Sequence, residues 1–181
     1  AEVVVSLQVG VEQSTFADEI PQIVAAGPDA IFYAGYEVEA PYLRFELVEA
    51  GMDAAFLASD GAFLTDTIDQ AGSAAEGMYV SAFGPRPGSA VDETWIKEYQ
   101  AVEYRNPDTY SINGYSALQV LAEGVKKAGT FDAAQVANAI RSLSAVETPM
   151  GSLSYNTEGD LEDQKIYIFQ VKDADWMQVY P

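Results

Sequence analysis

The sequence predicts an α/β protein built on a doubly wound parallel sheet. Along the first 82 residues, short apolar runs rich in β-branched and aromatic residues alternate with amphipathic segments of helical period. The runs are apolar at successive positions, which is typical of strands that are buried on both faces. Strands and helices that alternate in this way form parallel sheets with helices packed on each side.

The first part of the chain contains four segments that are predicted as strands. These apolar runs lie at 3–7, 30–33, 55–58 and 78–81. Three predicted helices separate them, at about 15–26, 41–50 and 63–71. Pro41 suits the first turn of the second helix, and Gly27 and Gly51 follow the first two helices where a left-handed residue often ends a helix.

The second part changes character at residues 83–91, where two glycines and two prolines indicate a linker or crossover. Three more helices are predicted after it, at 94–104, 113–128 and 132–143. The segments predicted as β structure are 153–155, 165–172 and 176–180. On the long helix, the spacing of apolar residues predicts a buried face made of Leu118, Leu121, Ala122 and Val125.

Composition and charge exclude several classes of function. The chain has 9 Lys and Arg against 28 Asp and Glu, a formal charge of -19, which repels phosphate backbones, so we expect no nucleic-acid partner. It has no cysteine and no histidine, which excludes thiol nucleophiles, histidine bases and zinc fingers. We expect no enzyme activity, no cofactor and no metal. No apolar run approaches the ~20 residues of a membrane span, and the first residues do not resemble a signal peptide.

Two predicted strand ends carry residues that suit a ligand site. Ala34-Gly35-Tyr36 follows the second predicted strand, and Ser59-Asp60-Gly61 follows the third. Ligands of parallel sheets bind at the carboxyl ends of strands, where the loops converge. Asp60 would pair with a ligand cation, and Tyr36 would cover an ammonium group or an apolar side chain. The same pattern also fits a plain turn in which Asp60 caps the next helix.

Several segments resemble the leucine/isoleucine/valine-binding family of type I periplasmic solute-binding proteins. The similar segments are 26–36 (AGPDAIFYAGY), 56–61 (FLASDG), 75–80 (AEGMYV), 111–117 (SINGYSA), 150–156 with 159–161, and 169–172 (FQVK). They follow the family's order along nearly the whole chain, which makes the set more specific than any one motif.

The resemblance implies the type I periplasmic-binding-protein fold in an incomplete form that lacks most of the first lobe. Residues 1–82 would form the α/β unit of the second lobe. Residues 83–164 would form the crossover and the C-terminal part of the first lobe, and 165–181 would be returning strands. The resemblance also places Tyr36 and Asp60 in the second lobe's share of an amino-acid site.

The resemblance further implies a function, partners and a location. The function is that of the ligand-binding component of an ABC transporter for branched-chain or other small amino acids, bound in a cleft between two lobes. The expected partners are the amino acid, an ABC permease in the membrane, and either a missing first lobe or a second chain. The expected location is periplasmic or extracellular, with or without a lipid anchor.

Three alternatives stay open from the sequence. An amino-acid-sensing domain of a receptor or regulator would use the same fold. A glycosidase-like enzyme would need two facing acids, such as Asp60 with Asp66 or Glu37. The acidic segment 156–160 would suit a calcium ion, although its spacing does not match an EF-hand and a solvated turn explains it as well.

Overall fold

A computed structural model describes residues 1–180, which divide into two compact units. Unit 1 comprises residues 1–82 together with the chain from Tyr167 onward. Unit 2 comprises Phe83–Ile166.

The elements alternate between strand and helix in the first part of the chain. The strands are β1 (Ala30–Tyr33), β2 (Ala55–Ala58), β3 (Tyr79–Ala82), β4 (Val146–Thr148), β5 (Gly151–Leu153), β6 (Tyr167–Lys172) and β7 (Asp175–Tyr180). The α-helices are α1 (Ile20–Ala26), α2 (Ala40–Glu49), α3 (Thr65–Ala71), α4 (Pro87–Ala90), α5 (Glu93–Glu103), α6 (Thr109–Ala128) and α7 (Ala133–Arg141). Two 3₁₀ turns cover Asp60–Ala62 and Gly72–Ala75.

Unit 1 is organised around a five-stranded sheet in the order β1-β2-β3-β6-β7. The strands β1, β2 and β3 are parallel, with Ala30 opposite Ala55 and Leu57 opposite Tyr79. The chain then adds β6 and β7 as antiparallel strands beyond β3. The βαβ arrangement confirms the predicted α/β fold class, and the antiparallel pair makes the complete sheet mixed.

The core of unit 1 lies between one face of this sheet and its helices. Strand residues that point to this face are buried, including Phe56, Val80 and Phe169. Helix α2 adds Leu43 and Leu47 to the same cluster. Parallel strands in consecutive order are joined by right-handed crossovers, so α2 and α3 pack on the same side of the sheet.

The expected strand at residues 3–7 is wrong in this structure. The first ten residues form neither helix nor strand, and residues 3–7 make no ladder with another strand. A β-branched run needs a neighbouring strand to satisfy its backbone groups, so propensity alone does not make it a strand. Leu7 and Val9 nevertheless pack against the core of unit 1.

Unit 2 is built from helices and the antiparallel hairpin β4–β5. Its longest element, α6, begins at Thr109 rather than at 113 because Asp108 caps it. The Asp108 carboxylate accepts hydrogen bonds from the Ser111 backbone and hydroxyl, both at 2.7 Å. In return, the Asp108 backbone N–H donates to the Ser111 hydroxyl at 3.2 Å, which completes a capping box.

The face of α6 that was predicted to be buried is largely exposed. Leu118 is 66% exposed and Leu121 is 46% exposed. The buried positions are instead Thr109, Ile112, Ser116, Val120 and Gly124. Small residues determine this choice, because a Cβ at Gly124 would lie 2.4 Å from Ile140 Cγ1 of α7. Close approach of α7 thus decides which face of α6 is covered.

Candidate ligand-binding site

The candidate site is a cavity of about 210 Å³ at the carboxyl ends of β1 and β2. It is lined by Ala34, Gly35, Tyr36, Ser59, Asp60 and Gly61. Both strand-end motifs that the sequence indicated therefore meet at one place, as the convergence of parallel strands requires. The whole cavity belongs to unit 1.

Hydrogen bonds fix the two loops of the site to each other. The Ser59 backbone N–H donates to the Tyr33 carbonyl at 2.9 Å, which continues the pairing of β1 with β2. The Ser59 hydroxyl donates to the Gly35 carbonyl at 3.0 Å. Ser59 therefore holds the loop after β1 with both its backbone and its side chain.

Close packing of the loops brings the Tyr36 ring beside the Asp60 segment. A Cβ added at Gly61 would lie 2.6 Å from the Gly35 carbonyl oxygen and 2.9 Å from Tyr36 Cδ1. Only glycine permits this approach without displacing backbone. Tyr36 keeps 68% of its surface exposed, so its ring is available to a ligand.

Asp60 is placed for a role other than capping α3. The N-cap residue of α3 is Leu64, whose side chain makes no capping hydrogen bond. Asp60 is half-buried and opens the short 3₁₀ turn Asp60–Ala62. Its backbone carbonyl accepts the Phe63 N–H at 2.9 Å, which fixes the turn on which the carboxylate sits.

A buried polar pair lies behind the loop after β1. The Tyr33 hydroxyl donates to Glu39 Oε2 at 3.2 Å, and the two residues are only 6% and 5% exposed. Burial raises the pKa of Tyr33 well above its usual range, and the charge of Glu39 and its hydrogen bond add to the rise. A hydrogen bond with the backbone of Tyr36 acts in the opposite direction. The phenol thus stays protonated and remains a donor.

Sequence reasoning did not find Ser59, Tyr33 or Glu39 as parts of this site. Ser59 was visible within the Ser-Asp-Gly motif, but its hydroxyl contact with Gly35 depends on a partner 24 positions away in the chain. A glutamate at the start of a helix ordinarily indicates an exposed residue that favours the helix dipole. No local pattern distinguishes the buried Glu39 from that ordinary case.

The geometry argues against the two-acid alternative. Glycoside hydrolysis needs two carboxyl groups that face each other across a cleft. Asp60 is the one carboxylate among the residues that line the cavity, whereas Asp66 lies exposed on α3. Glu37 is half-buried and does not line the cavity either.

The acidic segment 156–160 has the geometry of a turn. Asn156 Oδ1 accepts the backbone N–H groups of Gly159 and Asp160 at 2.8 and 2.9 Å. The Asn156 N–H donates to the Asp160 carbonyl at 2.9 Å, which closes the turn. Within residues 1–180, no group of three Asp or Glu side chains is placed to hold a metal ion.

A larger cavity, of about 390 Å³, lies in unit 2 beside the end of α5. It is lined by Gln100, Tyr104, Arg105 and Asn106. The Arg105 guanidinium already pairs with Asp108 at 3.0 Å, and the cavity has no strand end or second loop to enclose a ligand. The smaller cavity is therefore the better candidate despite its size.

In the part of the chain that the structure describes, no helix combines the length and apolarity needed to cross a membrane.

Comparison with known proteins identifies the family. A family model described as periplasmic binding protein matches residues 1–175. The chain is 30% identical over 153 residues to Leu/Ile/Val-binding protein homolog 1 of Brucella suis, covering 84% of this chain and 41% of the relative. It is also 30% identical over 156 residues to the leucine-, isoleucine-, valine-, threonine- and alanine-binding protein of Pseudomonas aeruginosa, covering 86% and 42%.

Solved structures share the fold at lower identity. The leucine-binding protein LivK of Thermotoga maritima matches with a TM-score of 0.82 and 24% identity, over 92% of this chain and 48% of that one. A solute-binding protein of Rhodopseudomonas palustris in complex with benzoate matches with a TM-score of 0.76 and 17% identity, over 95% and 48%. The same fold thus occurs in proteins with quite different ligands.

Sequence and fold agree with the resemblance seen in the motifs. The chain spans less than half the length of the curated relatives it matches, at 41–42%. The match to the family model extends over residues 1–175 and includes both loops of the site. The chain belongs to the periplasmic binding protein family.

Proposed function

We propose that the protein that contains this chain is the solute-binding component of an ABC importer and binds a branched-chain or similar small amino acid. The observation that carries the proposal is the strand-end cavity in which Tyr36 and Asp60 meet. Relatives named for binding leucine, isoleucine and valine support the choice of ligand class. The family supports a periplasmic or extracellular location, and the permease is the partner that such an importer requires.

The chemistry of the cavity suits one half of an amino acid. Its single carboxylate, Asp60, would pair with the ligand's ammonium group through charge-assisted hydrogen bonds. The exposed ring of Tyr36 would cover the apolar side chain or the ammonium group. Donors for the ligand's carboxylate must come from elsewhere, because the lining residues of this cavity include no cationic side chain.

We therefore propose that unit 1 belongs to the second lobe of a two-lobed site. Unit 2 would then be the crossover and the C-terminal part of the first lobe, and the remaining first lobe would supply the missing donors. Closure of two lobes around a ligand is the conformational change that a binding protein of this kind uses. The prediction that follows is that the 181-residue chain alone binds amino acids weakly or not at all.

The test is the affinity of the full-length protein for leucine, measured by calorimetry. Replacing Asp60 with alanine removes the partner of the ammonium group, and we expect affinity to fall at least about tenfold, because a charge-assisted hydrogen bond contributes ~1.5–3 kcal/mol. Asp66→Ala is the matched control, since it removes an exposed carboxylate outside the cavity. Unchanged affinity in Asp60→Ala would refute the assignment of Asp60.

A further inference from the structure

We propose that Glu39 is a positioning residue of the ligand site, which holds the loop bearing Tyr36 through the hydroxyl group of Tyr33. The effect on the loop stands on the geometry alone. Only the expected effect on ligand affinity rests on the proposed function.

Glu39 is a buried carboxylate with both oxygens engaged. Oε2 accepts the Tyr33 hydroxyl at 3.2 Å, and Oε1 accepts the Glu12 backbone N–H at 2.6 Å. The residue is 5% exposed and directly precedes α2. Because an unpaired buried charge is costly, the carboxylate stabilises the positions of both donors.

The Tyr33 hydroxyl connects this carboxylate to the loop. The backbone of Tyr36 lies close enough to the same hydroxyl group to lower the pKa of Tyr33. A Cβ added at Gly35 would lie only 2.1 Å from the Tyr33 hydroxyl oxygen, so the loop backbone passes directly over the phenol. The ring itself stacks on Phe56, with centroids 6.3 Å apart, which fixes its plane. The hydroxyl therefore lies between the Glu39 carboxylate and the backbone of the loop that bears Tyr36.

The N-terminal turn depends on the same carboxylate. Glu12 has a φ of 61°, a left-handed conformation that a residue with a side chain rarely adopts. Such a conformation is strained and persists only where surrounding contacts hold it. The hydrogen bond from Glu12 N–H to Glu39 supplies such a contact. Glu39 thus ties the turn around Glu12 and the loop around Tyr36 to one point.

Helix α2 offers a matched control in Glu46. Its carboxylate accepts the Phe16 backbone N–H at 3.1 and 3.0 Å, so it also ties the N-terminal segment to this helix. Replacing either glutamate with alanine removes a carboxylate that accepts a hydrogen bond from a backbone N–H of that segment. Of the two, only Glu39 also accepts a hydrogen bond from the Tyr33 hydroxyl. The difference between Glu39→Ala and Glu46→Ala isolates the contact with the loop.

The test is amide hydrogen exchange on the full-length protein, measured residue by residue. We expect the Tyr36 amide to exchange at least about tenfold faster in Glu39→Ala than in Glu46→Ala, after correction for global stability. Glu39→Gln keeps a side-chain carbonyl acceptor and should restore much of the protection. Equal exchange at Tyr36 in the two alanine variants would overturn the proposal.

Tyr33→Phe provides a second variant in case Glu39→Ala fails to fold. It removes only the hydroxyl group, and the ring can keep its stacking on Phe56. The Tyr36 amide should exchange severalfold faster. The exchange rate of the Phe16 amide, which donates a hydrogen bond to Glu46, should not change. Unchanged exchange at Tyr36 in Tyr33→Phe would contradict the proposal as well.

The ligand arm uses leucine and the full-length protein. If the proposed function holds, Tyr33→Phe and Glu39→Ala should weaken leucine binding about three- to tenfold, in that order of increasing effect. Faster exchange at Tyr36 with unchanged leucine affinity would reject the role of Tyr36 in the site and leave the positioning role intact. Unchanged exchange together with weaker binding in Asp60→Ala would reject the positioning role alone.

Discussion

Unit 1 and unit 2 differ in how their sequence patterns relate to burial. In unit 1, apolar residues of strands and helices form one cluster, with Phe16, Phe56 and Phe169 fully buried or nearly so. In unit 2, the longest helix exposes Leu118 and Leu121. The unit that carries the candidate site therefore has a core that its own segments supply.

The two units also differ in whether their buried polar side chains have hydrogen-bond partners. Among residues 1–180, the buried side-chain atoms that lack a hydrogen-bond partner are Asn113 Oδ1, Ser116 Oγ and Gln119 Oε1, all on α6. In unit 1 the buried Glu39 has both oxygens paired. On α6, the spacing of apolar residues did not predict the packed face, because a small residue, Gly124, lies where α7 approaches.

The largest expected effect comes from comparing a buried apolar residue of unit 1 with an exposed apolar residue of unit 2. Phe169 is fully buried against Phe63, with centroids 4.4 Å apart, so Phe169→Ala should lower the free energy of unfolding of unit 1 by about 3–5 kcal/mol. Leu118→Ala should change that of unit 2 by less than about 0.5 kcal/mol. Urea unfolding can be followed through Trp176 in unit 1 and Trp95 in unit 2, the two tryptophans of the chain. A loss above about 2 kcal/mol for Leu118→Ala would contradict the contrast.

The next effect concerns the contact between α6 and α7. Gly124→Ala places a methyl group against Ile140, and overpacking of this kind costs about 1–3 kcal/mol, which exceeds the gain of ~1 kcal/mol in helix propensity. Gly114→Ala on the same helix has open space around its Cβ, so it should stabilise unit 2 by about 0.5–1 kcal/mol. Thermal unfolding monitored at Trp95 measures both. If both variants changed the stability of unit 2 in the same direction, small residues would not be what selects the packed face.

The smallest effects are opposite responses of the two units to pH. Burial alone would raise the pKa of Asp108, but hydrogen bonds from Ser111 and Arg105 outweigh it and lower the pKa. Asp108 therefore stabilises unit 2 above the ordinary pKa of about 3.9, and this contribution is lost as the pH falls through the lowered value. The pKa of Tyr33 is raised, so its contribution to unit 1 is present below about pH 10 and is lost as the pH rises further.

Two conservative variants isolate these responses. Asp108→Asn keeps a side chain that can cap α6 but removes the charge, so unit 2 should lose less stability in acid than the wild type does. Tyr33→Phe should reduce the loss of stability of unit 1 above about pH 10. Urea midpoints across pH, monitored at Trp95 and Trp176, measure the two separately. Parallel pH profiles for variant and wild type would contradict the corresponding pKa shift.

The sequence predicted those features that follow from local patterns and from the topology of a βαβ unit. The strands 30–33 and 55–58 agree with β1 and β2, because continuous apolar runs between helices have few other solutions in a βαβ unit. Tyr36 and Asp60 meet because parallel strands end at one edge. Whether they bind the ligand stays a prediction.

The features that could not be predicted depend on contacts far apart in the sequence. The segment 3–7 has the composition of a strand, but strand formation needs a partner that composition does not specify. The antiparallel addition of β6 to β3 joins segments separated by unit 2. The burial of Glu39 requires the Glu12 and Tyr33 donors, which only the folded chain brings to it.

A crystal structure of the full-length protein grown with leucine decides whether the strand-end cavity is the ligand site. The expected result places the leucine ammonium nitrogen within about 3 Å of an Asp60 carboxylate oxygen, with the Tyr36 ring against the ligand. Leucine bound with its ammonium group away from Asp60, or bound outside the cavity formed by the loops after β1 and β2, would contradict the proposed function.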